Sequence, residues 1–490
     1  MPTIKKSLLS GLFWILIANL LVKPFWLLGI EVGVQNAVGT QMYGLYFAVF
    51  NLSYIFNILL DLGITNFNTR NIAQYPKLIV KHLSGILTIK LLLLALYLVV
   101  TFSVGALLGY GSQQFHLLVW LCINQFLNSL IVYLRSNFEG LLLFKWDSLL
   151  SVMDRLLMIV ICGLLLWGPA AEGFRIEWFV YAQTVAYLLT AVTALGVLAR
   201  KTGFRRLHWN RPFSIAILKK SLPFALLVLL MASYNRLDPV MLQKLSPQGL
   251  GDYNAGIYAG AFRLLDALTM IAYLASVALL PIFSKMTRPQ ADPDGRQAAE
   301  LRDTVRLMTG FMTVFAVTAA CTLSCLDHEL MALFYKENIE DYAVVFRIVI
   351  FCIIPIAATY VFGTLLTAAG RLRMLNIFAA TALLLNLAVN LVCIPRWGAV
   401  GSAWAGLTAQ TFMAVAQIVA AVKLFRLKLS AGYILRIVFF TLSVVACTFC
   451  VPHLQWWITL VVVAVVALAM GLMLRLIDIR EIMKIIQTEK

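Results

Sequence analysis

Apolar positions along this chain do not alternate with polar ones. They gather into long runs separated by short polar segments. We read the runs as 8–30, 41–63, 79–108, 114–138, 147–167, 176–199, 217–242, 252–283, 304–326, 342–368, 373–394, 398–422, 431–451 and 455–476, numbered here runs 1 to 14. A hydrocarbon core takes roughly 20 apolar residues as a helix, and a helix satisfies its own backbone where no water is present. Each run is therefore predicted to span a membrane. The fold class expected is an all-α polytopic membrane protein with about 14 transmembrane helices.

Charge then fixes the orientation. With the N-terminus in the cytoplasm, 29 of the 39 Lys and Arg fall in cytoplasmic segments or at the cytoplasmic ends of runs, and only Arg175, Lys244, Lys336 and Arg396 fall outside. The positive-inside rule predicts cytoplasmic termini and, for a bacterial-type cell, a multi-pass protein of the inner (plasma) membrane. The net charge of +17 resides in these cytoplasmic loops, where it meets anionic headgroups. No basic stripe with interleaved aromatics stands outside the runs, so nucleic acid is not an expected partner. Hydrophobic residues at 62% against 12% charged exclude a soluble globular domain.

Lys5-Lys6 before run 1 has the outline of a signal peptide, but the apolar stretch is too long and lacks a small-residue cleavage site. We expect it to be retained as a spanning helix. The eight cysteines, among them Cys122, Cys162, Cys321, Cys325 and Cys352, fall within runs and read as packing residues, with neither disulfide nor metal expected. A GxxxxGK[ST] loop is absent, so ATP hydrolysis by that route is excluded. No cofactor is expected. The longest loops are 200–216 and 284–303 on the cytoplasmic side and 327–341 outside. The external one is too short for the catalytic loop of a membrane glycosyltransferase, polymerase or ligase, and we expect no enzyme.

The chain repeats itself. Gly39, Gly44, Tyr46, Phe50 and Leu52 match Gly251, Gly256, Tyr258, Phe262 and Leu264 without a gap, at an offset of 212 residues. Both segments open an even-numbered run from the external side, so the two halves run parallel, related by an axis along the membrane normal. The division expected is 1–199 for a first lobe of six helices, 200–216 for a basic linker and 217–424 for a second six-helix lobe. Helices 13 and 14 follow over 425–476, and 477–490 forms an amphipathic cytoplasmic tail.

Lys23, Lys90, Arg155, Arg236, Arg263 and Arg347 lie within runs, where an ionisable group is expensive and marks function by default. Arg236 comes with Asp238 and Pro239, and Arg263 with Asp266 one turn later, so each has an acid within reach. By the offset Lys23 falls one position from the counterpart of Arg236, with Asn19 a turn before it on the same face. Guanidinium groups bind phosphate oxygens bidentately, so several cations at one depth suggest an anionic cargo such as pyrophosphate. Lys90 and Asp61 lie near cytoplasmic boundaries and are expected to pair, closing the inner side. Asp154 and Arg155 are adjacent, point about 100° apart and are expected to form a structural or gating element without sharing a partner. Arg347 lies beside Glu337, Glu340 and Asp341, which suggests a surface role. Run 2 carries a polar stripe of Tyr46, Ser53 or Tyr54, Asn57 and Asp61. With Asn124, Gln125 and Asn128 in run 4 and Asn386 and Asn390 in run 11, it suggests a wetted cavity suited to sugars.

Several segments resemble a known family. Ser221-Leu222-Pro223, Arg236-Leu237-Asp238 and Gly256-Ile257-Tyr258 are similar to the second lobe of polysaccharide flippases. So are Leu366 to Arg373, Asn386 to Pro395 and Gly398 to Ala403, while Tyr43-Gly44 and Asp61-Leu62-Gly63 resemble the early motif of the first lobe. These are O-antigen and polysaccharide exporters, kin to lipid II flippases and to multidrug and toxin extrusion proteins. The resemblance implies a V-shaped pair of lobes around a central cavity with alternating access. It implies a cargo of undecaprenyl-pyrophosphate-linked oligosaccharide carried from the inner to the outer leaflet, driven by an ion gradient or the membrane potential. Arg236, Arg263 and Lys23 would hold the pyrophosphate, and helices 13 and 14 would form a groove for the lipid tail. Asp238, Asp266, Asp61, Lys90, Arg155, Asp154, Asn57 and Asn19 would line the cavity or its gates. Expected partners are the lipid-linked cargo, membrane lipids and polysaccharide assembly proteins, with the chain itself a monomer. A lipid II flippase or a drug extruder on the same scaffold are the competing readings, the extruder being expected to carry acidic groups where these cations sit.

Overall fold

The computed structural model describes residues 22, 24–65, 68–69, 72, 75, 79–141, 143–169, 171–202, 225–287, 296–427, 430–450 and 455–477. Lys23, Asn19, most of run 1, the linker from 203 to 216 and the tail from 478 lie outside these residues. Among the described residues the regular structure is helical, with no strand.

A π-helical turn, Trp26–Glu31, leads into α1 (Val32–Val38), and α2 (Thr40–Ile55) ends in a 3-10 turn, Phe56–Leu60. Then come α3 (Ile79–Leu107), α4 (Ser112–Gly140), α5 (Phe144–Trp167) and α6 (Ile176–Thr202). Next are α7 (Ala225–Arg236), α8 (Asp238–Leu245) and α9 (Gly251–Met286). The remainder are α10 (Arg296–Cys325), α11 (Asp327–Phe334), α12 (Ile339–Val349), α13 (Ile353–Ala368), α14 (Leu372–Phe425), α15 (Ala431–Cys450) and α16 (Trp456–Met473). Among the described residues 11 helices are long and apolar enough to cross a membrane, and 12 if the bent pair α7–α8 counts as one span.

The 54 residues of α14 contain runs 11 and 12 together. They are separated at Gly398, whose φ of 53° and ψ of −128° are open to glycine and strained for any other residue. Pro395 three residues earlier removes a helical donor, so the kink is prepared by two residues of the sequence. The α7–α8 span bends by 47° at Leu237, where Pro239 opens α8.

The chain forms two compact units, Met1–Ala259 and Gly260–Lys490. The expected boundary was the basic segment 200–216; the observed division falls inside α9. Its cause is close packing between the two copies of the sequence repeat. A Cβ on Gly44 would lie 1.8 Å from the Asp252 carbonyl oxygen, and one on Gly256 would lie 2.1 Å from the Thr40 carbonyl oxygen. At the offset of 212, residue 40 corresponds to 252 and residue 44 to 256, so the two contacts are one contact made twice, reciprocally. Only hydrogen side chains let two helix backbones approach this closely in a membrane.

Within the first unit a core of Trp26, Tyr43, Tyr46, Tyr97, Leu121, Met158 and Phe179 gathers α2, α3, α4, α5 and α6 around the π-turn. A second cluster, including Ile64, Ile89, Tyr133 and Phe138, closes the other end. In the second unit α10 packs with α15 and α16 through Val314, Tyr433, Phe440 and Val463. The inner face of α14 is built of alanines, among them Ala379, Ala399, Ala403, Ala409 and Ala421. Leu164, Val160, Val192, Leu384 and Leu435 face outward, as expected of helices solvated by lipid.

Candidate functional site

The polar stripe of run 2 becomes a column on α2 and its 3-10 extension, and almost every member meets a group from another element. At one end Glu31 accepts from Trp26 Nε1 at 2.8 Å and from Tyr43 Oη at 3.3 Å. The π-turn makes the first contact possible, because its wide i→i+5 repeat sets residues 26 and 31 over one another. Tyr46 Oη, one turn along, accepts from Gln183 Nε2 at 3.2 Å. Tyr54 lies under the Arg236 guanidinium, 5.5 Å from ring centre to Cζ. Asn57 Nδ2 donates to Gln125 Oε1 at 2.6 Å. At the far end Asp61 meets Lys90 at 3.0 Å.

Lys90 is 1% exposed and uses all three ammonium donors: Leu60 O at 3.1 Å, Asp61 Oδ1 at 3.0 Å and Ser129 Oγ at 2.9 Å. Leu60 is the last residue of the 3-10 turn, so the ammonium caps the helix end at a carbonyl that also accepts from Ser129 Oγ at 3.3 Å. Just beyond, Leu62 and Gly63 adopt positive φ and the helix ends. The expected Lys90–Asp61 pair is therefore present as part of a four-membered cap.

The adjacent Asp154 and Arg155 meet each other: the guanidinium folds back to 3.7 Å from Asp154 Oδ2. The long Arg side chain spans the angle that separates their Cα–Cβ bonds. The same guanidinium lies 5.5 Å from the Trp26 ring centre, which brings Glu31, Asp154 and Arg155 to one end of the column.

The cations expected to face a cargo are placed differently from one another. Arg236 is partly exposed at the α7–α8 bend, beside Asp238, which is 2% exposed and accepts from Tyr258 Oη at 2.9 Å. Arg263 is buried at 4% exposure, and its Nη1 donates to Tyr335 Oη at 2.6 Å. Tyr335 stacks on Tyr342, with ring centres 4.1 Å apart, and Gly260 admits both rings. The sequence paired Arg263 with Asp266 alone and missed this tyrosine from the external segment. Asp266 begins the next turn of α9, where its carbonyl accepts from Thr269 Oγ1. Arg347, expected to have a surface role beside Glu337, Glu340 and Asp341, has a largely exposed side chain, and it pairs with the buried Asp327, since α11 and α12 pack together.

Sequence reasoning also missed Glu31, which sits one residue past the end of run 1. The five-residue spacing to Trp26 is invisible to a search at 3.6 residues per turn. In the second unit Asn390 Nδ2 donates to Asn386 Oδ1 at 3.0 Å, and both are fully buried. A lipophilic groove of about 360 Å³ lies between α10 and α16, lined by Val314, Phe315, Thr318, Leu460 and Leu468. Its walls come from runs 9 and 14.

This is a multi-pass membrane protein with the fold of a transporter class seen in solved structures. The lipid II flippase MurJ, in an inward closed conformation, superposes with a TM-score of 0.68 at 13% identity over 96% of this chain and 99% of that one. An inward-facing multidrug resistance MATE family transporter of the MOP superfamily gives 0.63 at 14% identity, over 82% and 94%. A curated relative, an uncharacterized membrane protein of Methanocaldococcus jannaschii, is 21% identical over 427 residues, 82% of this chain and 94% of its own. The model of the polysaccharide biosynthesis protein family matches residues 8–287, more than half of the chain. The chain belongs to that family.

Proposed function

We propose that this protein is a flippase that carries an undecaprenyl-pyrophosphate-linked oligosaccharide, the repeat unit of an O-antigen or other surface polysaccharide, from the cytoplasmic to the outer leaflet. Arg236 is the observation that carries the reading. It stands nine residues before the end of the α7–α8 span, about 13 Å along a helix, and keeps part of its surface open. An arginine at the bilayer centre costs about 2.5–3.5 kcal/mol on insertion scales, so it is retained where it faces water and an anionic ligand. Pyrophosphate fits the planar donor fork of a guanidinium. The amide and hydroxyl groups of the α2 column suit a sugar, and the apolar groove between α10 and α16 suits a polyprenyl tail, which can stay in lipid throughout.

In this reading Arg236 grips the pyrophosphate in the conformation described. Arg263 is held by the Tyr335 hydroxyl within the second unit. The Lys90–Asp61 cap and the Asp154–Arg155 pair hold elements of the first unit in register during alternating access. The driving force is an ion gradient or the membrane potential, the protein lies in the inner membrane with cytoplasmic termini, and polysaccharide assembly proteins dock on its cytoplasmic loops.

Leaflet transfer of a defined undecaprenyl-pyrophosphate oligosaccharide in proteoliposomes tests the proposal. Wild type is expected to transfer it and folded Arg236→Ala to lose most of that activity. Dye or drug efflux without lipid transfer would move the assignment to an extruder, and transfer of lipid II alone would move it to a lipid II flippase.

A further inference from the structure

We infer that the second unit carries a binding site for an anionic phospholipid, whose phosphate is held by Arg306, Arg436 and Arg475 on the side that the charge pattern assigns to the cytoplasm. The inference does not depend on which cargo is moved. The three arginines come from α10, α15 and α16, and two contacts bring them to one junction. Tyr433, buried near the start of α15, lies under the Arg306 guanidinium at 4.9 Å from ring centre to Cζ, and its Oη donates to the Arg306 carbonyl at 2.9 Å. Arg436, one turn along α15, donates from Nη1 to the Leu474 carbonyl at 3.5 Å, and Arg475 is the next residue. Glycines close the junction. A Cβ on Gly310 would lie 2.2 Å from the Leu476 carbonyl oxygen, and one on Gly471 would lie 3.1 Å from Val314 Cγ2.

The positive-inside rule accounts for basic residues on this side but not for their arrangement. Arg306 and Arg475 are exposed and Arg436 is half-buried. Among the described residues none of the three pairs with a carboxylate, and Asp303, one turn before Arg306, is engaged by Arg302 at 3.6 Å. Arg475 holds a φ of 52° at the end of α16, a conformation usually left to glycine, so an arginine is kept there against its backbone preference. The surface around the cations is apolar: Ile434 is 50% exposed, Leu435 72% and Met473 78%. Exposed apolar side chains in the same turns as guanidiniums mark the depth at which acyl chains meet headgroups. A free phosphate ion would leave those side chains in water, whereas a phospholipid covers them with its chains while its phosphate meets the arginines. Basic pockets between helices on the cytoplasmic side take anionic headgroups in this way.

The test is native mass spectrometry of the full chain titrated with phosphatidylglycerol or phosphatidylcholine, with elution profile and melting temperature as controls on folding. Wild type is expected to bind phosphatidylglycerol more tightly than phosphatidylcholine. An arginine near an anionic surface is worth about fivefold in affinity. Arg475→Gln, at an exposed position, is therefore expected to weaken phosphatidylglycerol binding about fivefold, and Arg306→Gln/Arg436→Gln/Arg475→Gln about 100-fold, with phosphatidylcholine unchanged. Arg371→Gln/Arg373→Gln/Lys423→Gln removes the same charge elsewhere on the same unit and is expected to change binding by under about twofold. Equal losses in the two triple variants would reduce the effect to net charge and overturn the inference. Unchanged phosphatidylglycerol affinity in Arg475→Gln and in the first triple variant would overturn it too. So would displacement of the lipid by millimolar inorganic phosphate, which would make the site one for a free anion. Tighter binding of undecaprenyl phosphate than of phosphatidylglycerol at the same arginines would also overturn it, making the junction a station for cargo.

Discussion

Replacing Gly44 or Gly256 by alanine should destabilise the protein, and replacing both should cost little more than replacing one. A Cβ on Gly44 would sit 1.8 Å from the Asp252 carbonyl oxygen, and one on Gly256 would sit 2.1 Å from the Thr40 carbonyl. Ordinary contact begins near 3.4 Å, so either alanine must move α2 and the start of α9 apart by 3.4 less 1.8, or 3.4 less 2.1, about 1.6 or 1.3 Å. The obstacle in both cases is backbone, which has no rotamer to change. Overpacking of this kind costs about 1–3 kcal/mol. Because the contacts are reciprocal, the separation forced by the first alanine makes room for the second. The double variant should therefore fall short of the sum by about 1–3 kcal/mol, a coupling in the range seen for touching residues. Melting temperatures of the four proteins in one detergent, completing the cycle, measure it. Strictly additive losses would refute the reciprocal contact, and a neutral alanine at either position would refute the approach distance itself.

Three further outcomes are expected. Lys90→Ala should lower stability by about 3 kcal/mol, since it removes the cation that faces Asp61 and one of the two donors to the Leu60 carbonyl, and Lys90→Met with Asp61→Leu should recover part of that; thermal unfolding in detergent reads both. Gly398→Ala should cost about 1–3 kcal/mol, because φ of 53° with ψ of −128° is open to glycine alone, and Gly196→Ala, with nothing within 4 Å of the new Cβ, serves as its neutral control. Arg263→Ala should act on stability and Arg236→Ala on cargo transfer, because Arg263 is sealed at 4% exposure against Tyr335 while Arg236 is open. Parallel melting and transfer measurements separate the two, and equal stability of Arg263→Ala and wild type would contradict the burial.

Much of the fold could be read along the chain because lipid imposes one rule, a closed helix some 20 residues long, and the runs obey it. The repeat at offset 212 was also legible, since glycine, tyrosine and phenylalanine are chemically conspicuous. What escaped were the π-turn at Trp26–Glu31, which periodicity averages over, and the size of the bend at Leu237, although Pro239 marked its place. The kink at Gly398 falls at the division between runs 11 and 12. In the candidate site, the column of Tyr46, Tyr54, Asn57 and Asp61 was visible because its members share one helix. Its partners Gln183, Arg236, Gln125 and Lys90 come from four other elements, and which partner meets which rung depends on packing that no single helix encodes. Arg263 shows the same limit. Its helix offered Asp266 at the right spacing, whereas its tyrosine arrives from a segment 72 residues away.

The Lys90 cap has a consequence for how the chain enters the bilayer. A lysine in a helix crossing hydrocarbon alone is penalised by about 2.5–3.5 kcal/mol, and a lone aspartate similarly. Asp61 and Lys90 are 29 residues apart, the first just past the 3-10 end of α2 and the second on α3. Leaving the translocon as a hairpin, the two helices present lipid with a neutralised pair, whereas leaving singly each exposes a bare charge. Biogenesis thus favours simultaneous release of α2 and α3, and the contact that later caps a helix serves first as an insertion signal spread over two segments.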